Sequence, residues 1–163
     1  MKIAFYHGKP ATKEAISALE QAIGHDISAT FLRFVEENDG AEPQSNIFKI
    51  GEDNDCGVNE FIPVSQIPGE IKIIEDLPHH AYPVAWAEGG NYVIINEGRG
   101  GAVFFYDHEI FEGLTMLASN FEEFLMTLQP FDPKSVHVRP DQIKKVWISP
   151  EFQKILDKMK KTE

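Results

Sequence analysis

The sequence holds a single cysteine, Cys56, so no disulfide can close within the chain, which fits a reducing compartment. Basic residues are scarce as well, 15 against 26 acidic ones, for a formal net charge of -11. A field of that sign repels phosphate backbones and anionic lipids, so no nucleic acid and no membrane is expected as a direct partner. It steers basic proteins inward instead, most strongly at low salt. No apolar run nears the roughly 18 residues of a membrane span. Met1 to Tyr6 lead into His7 and Lys9 without the apolar segment of a signal peptide, and the expected location is the cytoplasm. Ser45, Ser65 and Ser119 lack the flanking glycines of a nucleophile elbow, and no glycine-rich loop runs from a strand into a lysine-bearing helix. No catalytic residue, metal site or cofactor is therefore expected.

What remains is an ordinary globular composition. Hydrophobic residues make up 42% of 163 and charged residues 25%, enough for one domain over residues 1–163 with a core of its own. Thr12 is placed to cap a first helix whose Ala15, Ile16, Leu19, Ala22 and Ile23 form one stripe, and Gly24 stops it. Ser28 opens a second helix bearing Phe31, Leu32, Phe34 and Val35, which ends over Asn38 to Gly40. Strand-like pieces at Ile47-Phe48 and Phe61-Ile62 flank the turn-forming stretch Gly51 to Gly57. A short helix fits Glu70 to Leu77, after the Pro68-Gly69 break and before Pro78.

The clearest β signal is Tyr82 to Ala87, Tyr92 to Ile95 and Ala102 to Tyr106, rich in aromatic and β-branched residues. Glu88-Gly89-Gly90-Asn91 and Gly98-Arg99-Gly100-Gly101 separate them and tolerate positive φ, which predicts an antiparallel meander. Ser119 with Glu122 spells a capping box for a helix carrying Phe121, Phe124, Leu125 and Leu128. After Gln129 the prolines Pro130, Pro133 and Pro140 make the chain irregular until Ser149-Pro150 starts a last helix with Phe152, Ile155, Leu156 and Met159 on one side. Residues 130–163 thus form a C-terminal helical extension. The fold class is α+β, an antiparallel sheet flanked by N-terminal and C-terminal helices.

Three clusters invite chemistry. Asp53, Asp55, Gly57 and Asn59 alternate as oxygen donors for a hard cation do, but Val58 and Val64 occupy the positions where a helix-flanked calcium loop needs its glycine and its bidentate glutamate, so a solvated loop is expected. His79 and His80 are neighbours that an extended chain would point to opposite faces. His108 stands between Asp107 and Glu109, a grouping able to do acid and base work if it lined a cleft and equally at home at a wet strand end. Trp86, at alternating spacing in a strand, reads as core.

Four stretches in order resemble the SUKH superfamily, the Smi/Knr-type domain. They are Ile23-Gly24-His25-Asp26-Ile27-Ser28 with its continuation through Phe31 to Pro43, Val84 to Asn91, Gly101 to Glu109, and Leu117 to Leu125. Asp39-Gly40-Ala41 stands where that family pairs glycines, Ser28 where it often has proline, and the tail after Gln129 is not covered. The resemblance implies a protein-binding domain without catalysis, most often an immunity protein that neutralises the toxin of a polymorphic or contact-dependent system. The acidic charge would suit a basic, nucleic-acid-cleaving toxin domain. Rim residues for such a partner are Glu36, Glu37, Asp39, Glu42, Asp107 and Glu109. The alternatives are a regulatory interaction module of the same fold, acting in cell-wall or signalling control, and a hydrolase or metal-dependent enzyme built on His108.

Overall fold

The computed structural model describes residues 3–52, 54–110, 113–132 and 147–152. The chain divides into two compact units, Met1–Phe131 and Asp132–Glu163. Among the described residues no helix is long and apolar enough to cross a membrane.

The first unit opens with β1 (Phe5–Tyr6), which pairs antiparallel with β2 (Glu42–Pro43) after the chain has made two helices. Helix α1 (Lys13–Ile23) begins where Thr12 Oγ1 accepts the Ala15 N–H at 3.2 Å, and ends on Gly24 at φ 66°, a left-handed position that costs glycine little. Helix α2 (Ala29–Asn38) buries Phe31, Phe34 and Val35. Then come β3 (Ile47–Ile50), β4 (Asn54–Phe61), the single turn α3 (Ile67–Glu70), β5 (Ala81–Ala87), β6 (Tyr92–Asn96), β7 (Ala102–Tyr106), β8 (Leu114–Ala118) and α4 (Phe121–Thr127).

Strands β3 to β8 lie in chain order in one six-stranded sheet, and every pair is antiparallel. The architecture is the expected α+β one, and its centre is the expected three-strand meander. Its turns are short 3-10 segments at Glu88–Gly90 and Glu97–Arg99, with Gly89, Gly90, Gly100 and Gly101 all at positive φ.

Alternation along each strand separates two faces. The inner face contributes Phe48, Val58, Phe61, Tyr82, Val84, Val93, Ile95, Val103 and Phe105 to a core completed by α1, α2 and α4. Phe34, Phe61 and Phe121 meet with centroids 4.7 to 5.8 Å apart, edge-on or tilted as aromatic quadrupoles prefer. The sheet curls enough to bring Phe48 of β3 to 6.0 Å from Phe105 of β7.

Where β6 turns into β7, the buried Glu97 carboxylate accepts the Ser28 N–H and the Tyr82 hydroxyl, each at 2.7 Å, and so fastens the start of α2 to the sheet. Burial first, and then the Glu97 charge, hold the Tyr82 phenol well above its ordinary pKa.

Several local expectations shift. The cap of α4 sits one residue later: Asn120 Oδ1 accepts the Glu123 N–H at 2.9 Å, and the Glu123 carboxylate returns to the Ser119 N–H and hydroxyl. Both frames offer a capping residue with a glutamate three positions on, and the frame that buries Phe121 and Phe124 wins. Glu122 is left to pair with Arg33 at 3.2 Å.

The short helix expected over Glu70 to Leu77 lies earlier, at Ile67–Glu70, because Pro68 falls in its first turn, where no N–H is needed. Strand β8, rich in helix-forming Leu and Met, is made a strand by its pairing with β7. Trp86 lies on the outer face of the sheet and is only half-buried.

In the second unit Ser149 Oγ accepts the Phe152 N–H at 3.2 Å and a helix starts at Pro150, as expected. Ile155, Leu156 and Met159, expected on its apolar side, lie outside the described residues.

Candidate partner-binding surface

The turns at one end of the sheet form the most structured polar site. Asn91 ends the β5 to β6 turn with its side-chain amide donating to the Glu88 carbonyl at 3.1 Å. Its Oδ1 accepts both the backbone N–H and the Nδ1 of His108, at 3.2 and 2.9 Å, which ties this turn to the one between β7 and β8. The His108 ring rests on Gly90, where a Cβ would stand 3.4 Å from Cε1. Asp107 Oδ1 accepts the Glu109 N–H at 2.9 Å, and Asp107 N–H donates to the Gly113 carbonyl at 2.9 Å. A Cβ on Gly113 would stand 2.7 Å from the Ile110 carbonyl oxygen, so only glycine closes this turn.

Across from these turns the Glu88 carboxylate accepts the Gly57 N–H at 3.0 Å. Between them opens a cleft of about 620 Å³ with Asp55, Glu88 and Asp107 on its rim and Cys56, Phe105 and Leu114 in its walls. No lysine, arginine or histidine lines it among the described residues. Burial, followed by the charges of Glu88 and Asp107, pushes the Cys56 thiol up, which disfavours the thiolate a nucleophile needs.

The six rim residues named from the sequence fall into two groups. Asp107 and Glu109 belong to the cleft end, Asp107 half-buried on the rim and Glu109 exposed beside it. Glu36, Glu37, Asp39 and Glu42 cluster at the end of α2 and on β2, at the other end of β4. There Asp39 Oδ1 accepts the Val64 N–H at 2.7 Å, and Phe61 N–H donates to the Ala41 carbonyl. Burial lifts the Asp39 carboxyl above its ordinary pKa against the pull of that Val64 bond. Since β4 runs from the Asp55 end to the Phe61 end, the two groups stand roughly 20 Å apart along the sheet.

The other chemical clusters resolve simply. His108 points its Nδ1 at Asn91 rather than at Asp107 or Glu109, so it works as a tie between turns. His79 and His80 are not extended: His80 sits at φ 60°, and the two rings meet edge to face at 3.9 Å, with His25 at 5.5 Å from His80. Asp53 lies outside the described residues; among those described, no three His, Cys, Asp or Glu side chains are grouped to hold a metal.

What the sequence reading missed is the outer face of the sheet. Strand register sets Glu60, Trp86, Tyr92, Tyr106 and Leu114 in one row across five strands, with Ile94 and Phe104 adjacent in the next. The alternation of Tyr92 with Ile94 and of Phe104 with Tyr106 was a signal for it, but only pairing shows that these side chains share a face with Trp86.

No curated protein matches the chain. Residues 10–127 do match the SMI1 / KNR4 family (SUKH-1), from just before α1 to the end of α4, and so take in helices α1 to α4, the six-stranded sheet and the turn-end cleft. The chain belongs to the SMI1 / KNR4 family (SUKH-1).

Proposed function

We propose that this chain is a non-catalytic protein-binding domain that acts as an immunity protein, covering a basic, nucleic-acid-cleaving toxin domain with its acidic turn-end surface. The observation that carries the reading is the cleft rimmed by Asp55, Glu88 and Asp107 without a basic residue among its described lining. Carboxylates in a concave site focus potential and favour cationic partners. The hydrogen bonds from Gly57 to Glu88 and from Glu109 to Asp107 hold these acids in place before any partner arrives, which lowers the entropy cost of binding. A non-catalytic role accords with His108 bound to Asn91 and with a Cys56 thiol held protonated.

The test is rescue. Cells expressing the toxin encoded beside this gene should grow when the chain is co-expressed, and the two proteins should co-purify. Asp107→Lys with Glu88→Lys should abolish both effects while the circular dichroism spectrum stays that of a folded chain, although loss of the Gly57 bond to Glu88 lowers the melt somewhat. Rescue that fails, together with capture of a host cell-wall or signalling protein by the same surface, would move the assignment to a regulatory module.

A further inference from the structure

The outer face of the sheet carries aromatic groups at the margin of the buried clusters, packed against them but half-open to solvent. Trp86, Tyr92 and Tyr106 follow one another across β5, β6 and β7, each half-buried, with the Tyr92 and Tyr106 rings 6.4 Å apart. Carboxylates stand around them. Glu60 is the cross-strand partner of Trp86 on β4, and the Glu70 carboxylate of α3 accepts the Tyr92 hydroxyl at 2.9 Å. Asp76 and Glu75 are close enough for their charges to raise the Tyr106 phenol, after the effect of its burial. Burial, and then Glu70, push the Tyr92 phenol up to about 12, so the row presents neutral rings edged by negative charge.

The same face shows what such rings accept. The Arg99 guanidinium lies over Phe104, 5.3 Å from the ring centre, and among the described residues this is the one ring capped by a cation. Electron-rich ring faces attract cations, and neighbouring carboxylates add to that attraction. Apolar partners alone would gain nothing from four carboxylates at the margin and would have to desolvate them.

We propose that the row Trp86, Tyr92 and Tyr106, edged by Glu60, Glu70, Glu75 and Asp76, is a second recognition surface that takes an arginine- or lysine-bearing segment of a partner protein. It rests on the protein-binding reading above, and none of its three rings lines the cleft, whose Asp107 and Glu88 stand next to Tyr106 and two residues from Trp86. The rings receive the guanidinium or ammonium groups on their faces, and the carboxylates take the N–H donors.

The test uses the full chain carrying Trp147→Phe, so that indole fluorescence reports Trp86 alone, titrated with an octa-arginine peptide and, as a control, an octa-glutamate peptide. Octa-arginine should change the Trp86 emission saturably, and octa-glutamate should not. Glu70→Gln with Glu75→Gln and Asp76→Asn should weaken binding roughly tenfold, the effect of losing about 1.4 kcal/mol of charge attraction. Asp107→Asn with Glu88→Gln, in the turns that rim the cleft beside Tyr106 and Trp86, should weaken it less than the outer-face triple variant does.

No change in Trp86 emission would overturn the proposal, as would binding lost with the cleft variant but not the outer-face one. Self-association in sedimentation that Trp86→Ala dissolves would also overturn it, by giving the face to a second copy of the chain. Rescue by the cleft without peptide binding would sink this inference alone, and peptide binding without rescue would sink only the immunity reading.

Discussion

The two faces of one sheet are built from similar aromatic residues and put to opposite uses. On the inner face the rings of Phe34, Phe61 and Phe121 lock against one another, with no polar atom to satisfy, and helices seal them from water. On the outer face Trp86, Tyr92 and Tyr106 keep a polar tip or an open edge, and acids stand beside them. The chemical difference is small, since a tyrosine is a phenylalanine with one hydroxyl. That hydroxyl needs a partner when buried, so it favours a position where water, a carboxylate or another protein can supply one. Inside, the one buried tyrosine, Tyr82, has Glu97 as its partner, and the phenylalanines need none; outside, the half-open tyrosines and tryptophan are the rings the proposed partner would meet.

The largest break in this contrast should come from the inner face. Phe121 is fully buried at the centre of the ring cluster, and Phe121→Ala should cost about 3 to 5 kcal/mol in urea unfolding, the usual loss for a truncated core aromatic. A loss below about 1 kcal/mol would mean that the core is looser than its contacts imply. Next comes the staple at the edge of the core. Glu97→Ala strands the Ser28 N–H and the Tyr82 hydroxyl together, and roughly 2 to 3 kcal/mol should be lost, with the start of α2 exchanging its amide hydrogens faster.

The outer face should answer differently. Trp86→Ala should cost roughly 1 kcal/mol, because the side chain is only half-buried, yet it should weaken octa-arginine binding, read by calorimetry since the indole is gone, roughly tenfold or more. Equal losses of stability and binding would erase the division between the faces.

Tyr92 sharpens the comparison through pH. Its folded pKa of about 12 lies above the ordinary value of 10.0, so its contribution is fully present below pH 10 and is lost as the pH rises from there towards 12. Tyr92→Phe should flatten that part of the stability profile, read as urea midpoints at pH 9 and pH 11, whereas an unchanged slope would assign the alkaline loss to other groups such as Tyr82. The smallest effect belongs to the surface ion pair. Arg33→Ala breaks an exposed contact to Glu122 and should shift stability by less than about 0.5 kcal/mol in the same unfolding assay.

Much of this was legible in the chain. The stripe Leu19 and Ile23, the cap at Thr12, the stop at Gly24 and the glycine pairs around β6 are local signals, and local signals survive folding because their causes lie within a few residues. The cap of α4 was read one residue early because Ser119 with Glu122 and Asn120 with Glu123 are equally good in isolation. Only the burial of Phe121 and Phe124 chooses between them.

The candidate site was less legible. Asp107 and Glu109 were found by their place in a family-like motif, but nothing in their spacing shows that Asp55, Cys56 and Glu88 meet Asp107 across a cleft. Trp86 was read as core because a strand tryptophan usually is, and the register that sets it beside Glu60 and Tyr92 is a property of pairing.

The sequence by itself determined an acidic α+β chain of the SMI1 / KNR4 family, its helices, its meander and most of its turns, since patterning, capping and glycine chemistry act over a handful of neighbours. Tertiary structure alone decided which carboxylates stand together, that His108 serves Asn91, and that three aromatic residues from three strands form one row. Those outcomes depend on strand register and on contacts between residues far apart in the chain, where a shift of one residue would turn each side chain to the opposite face.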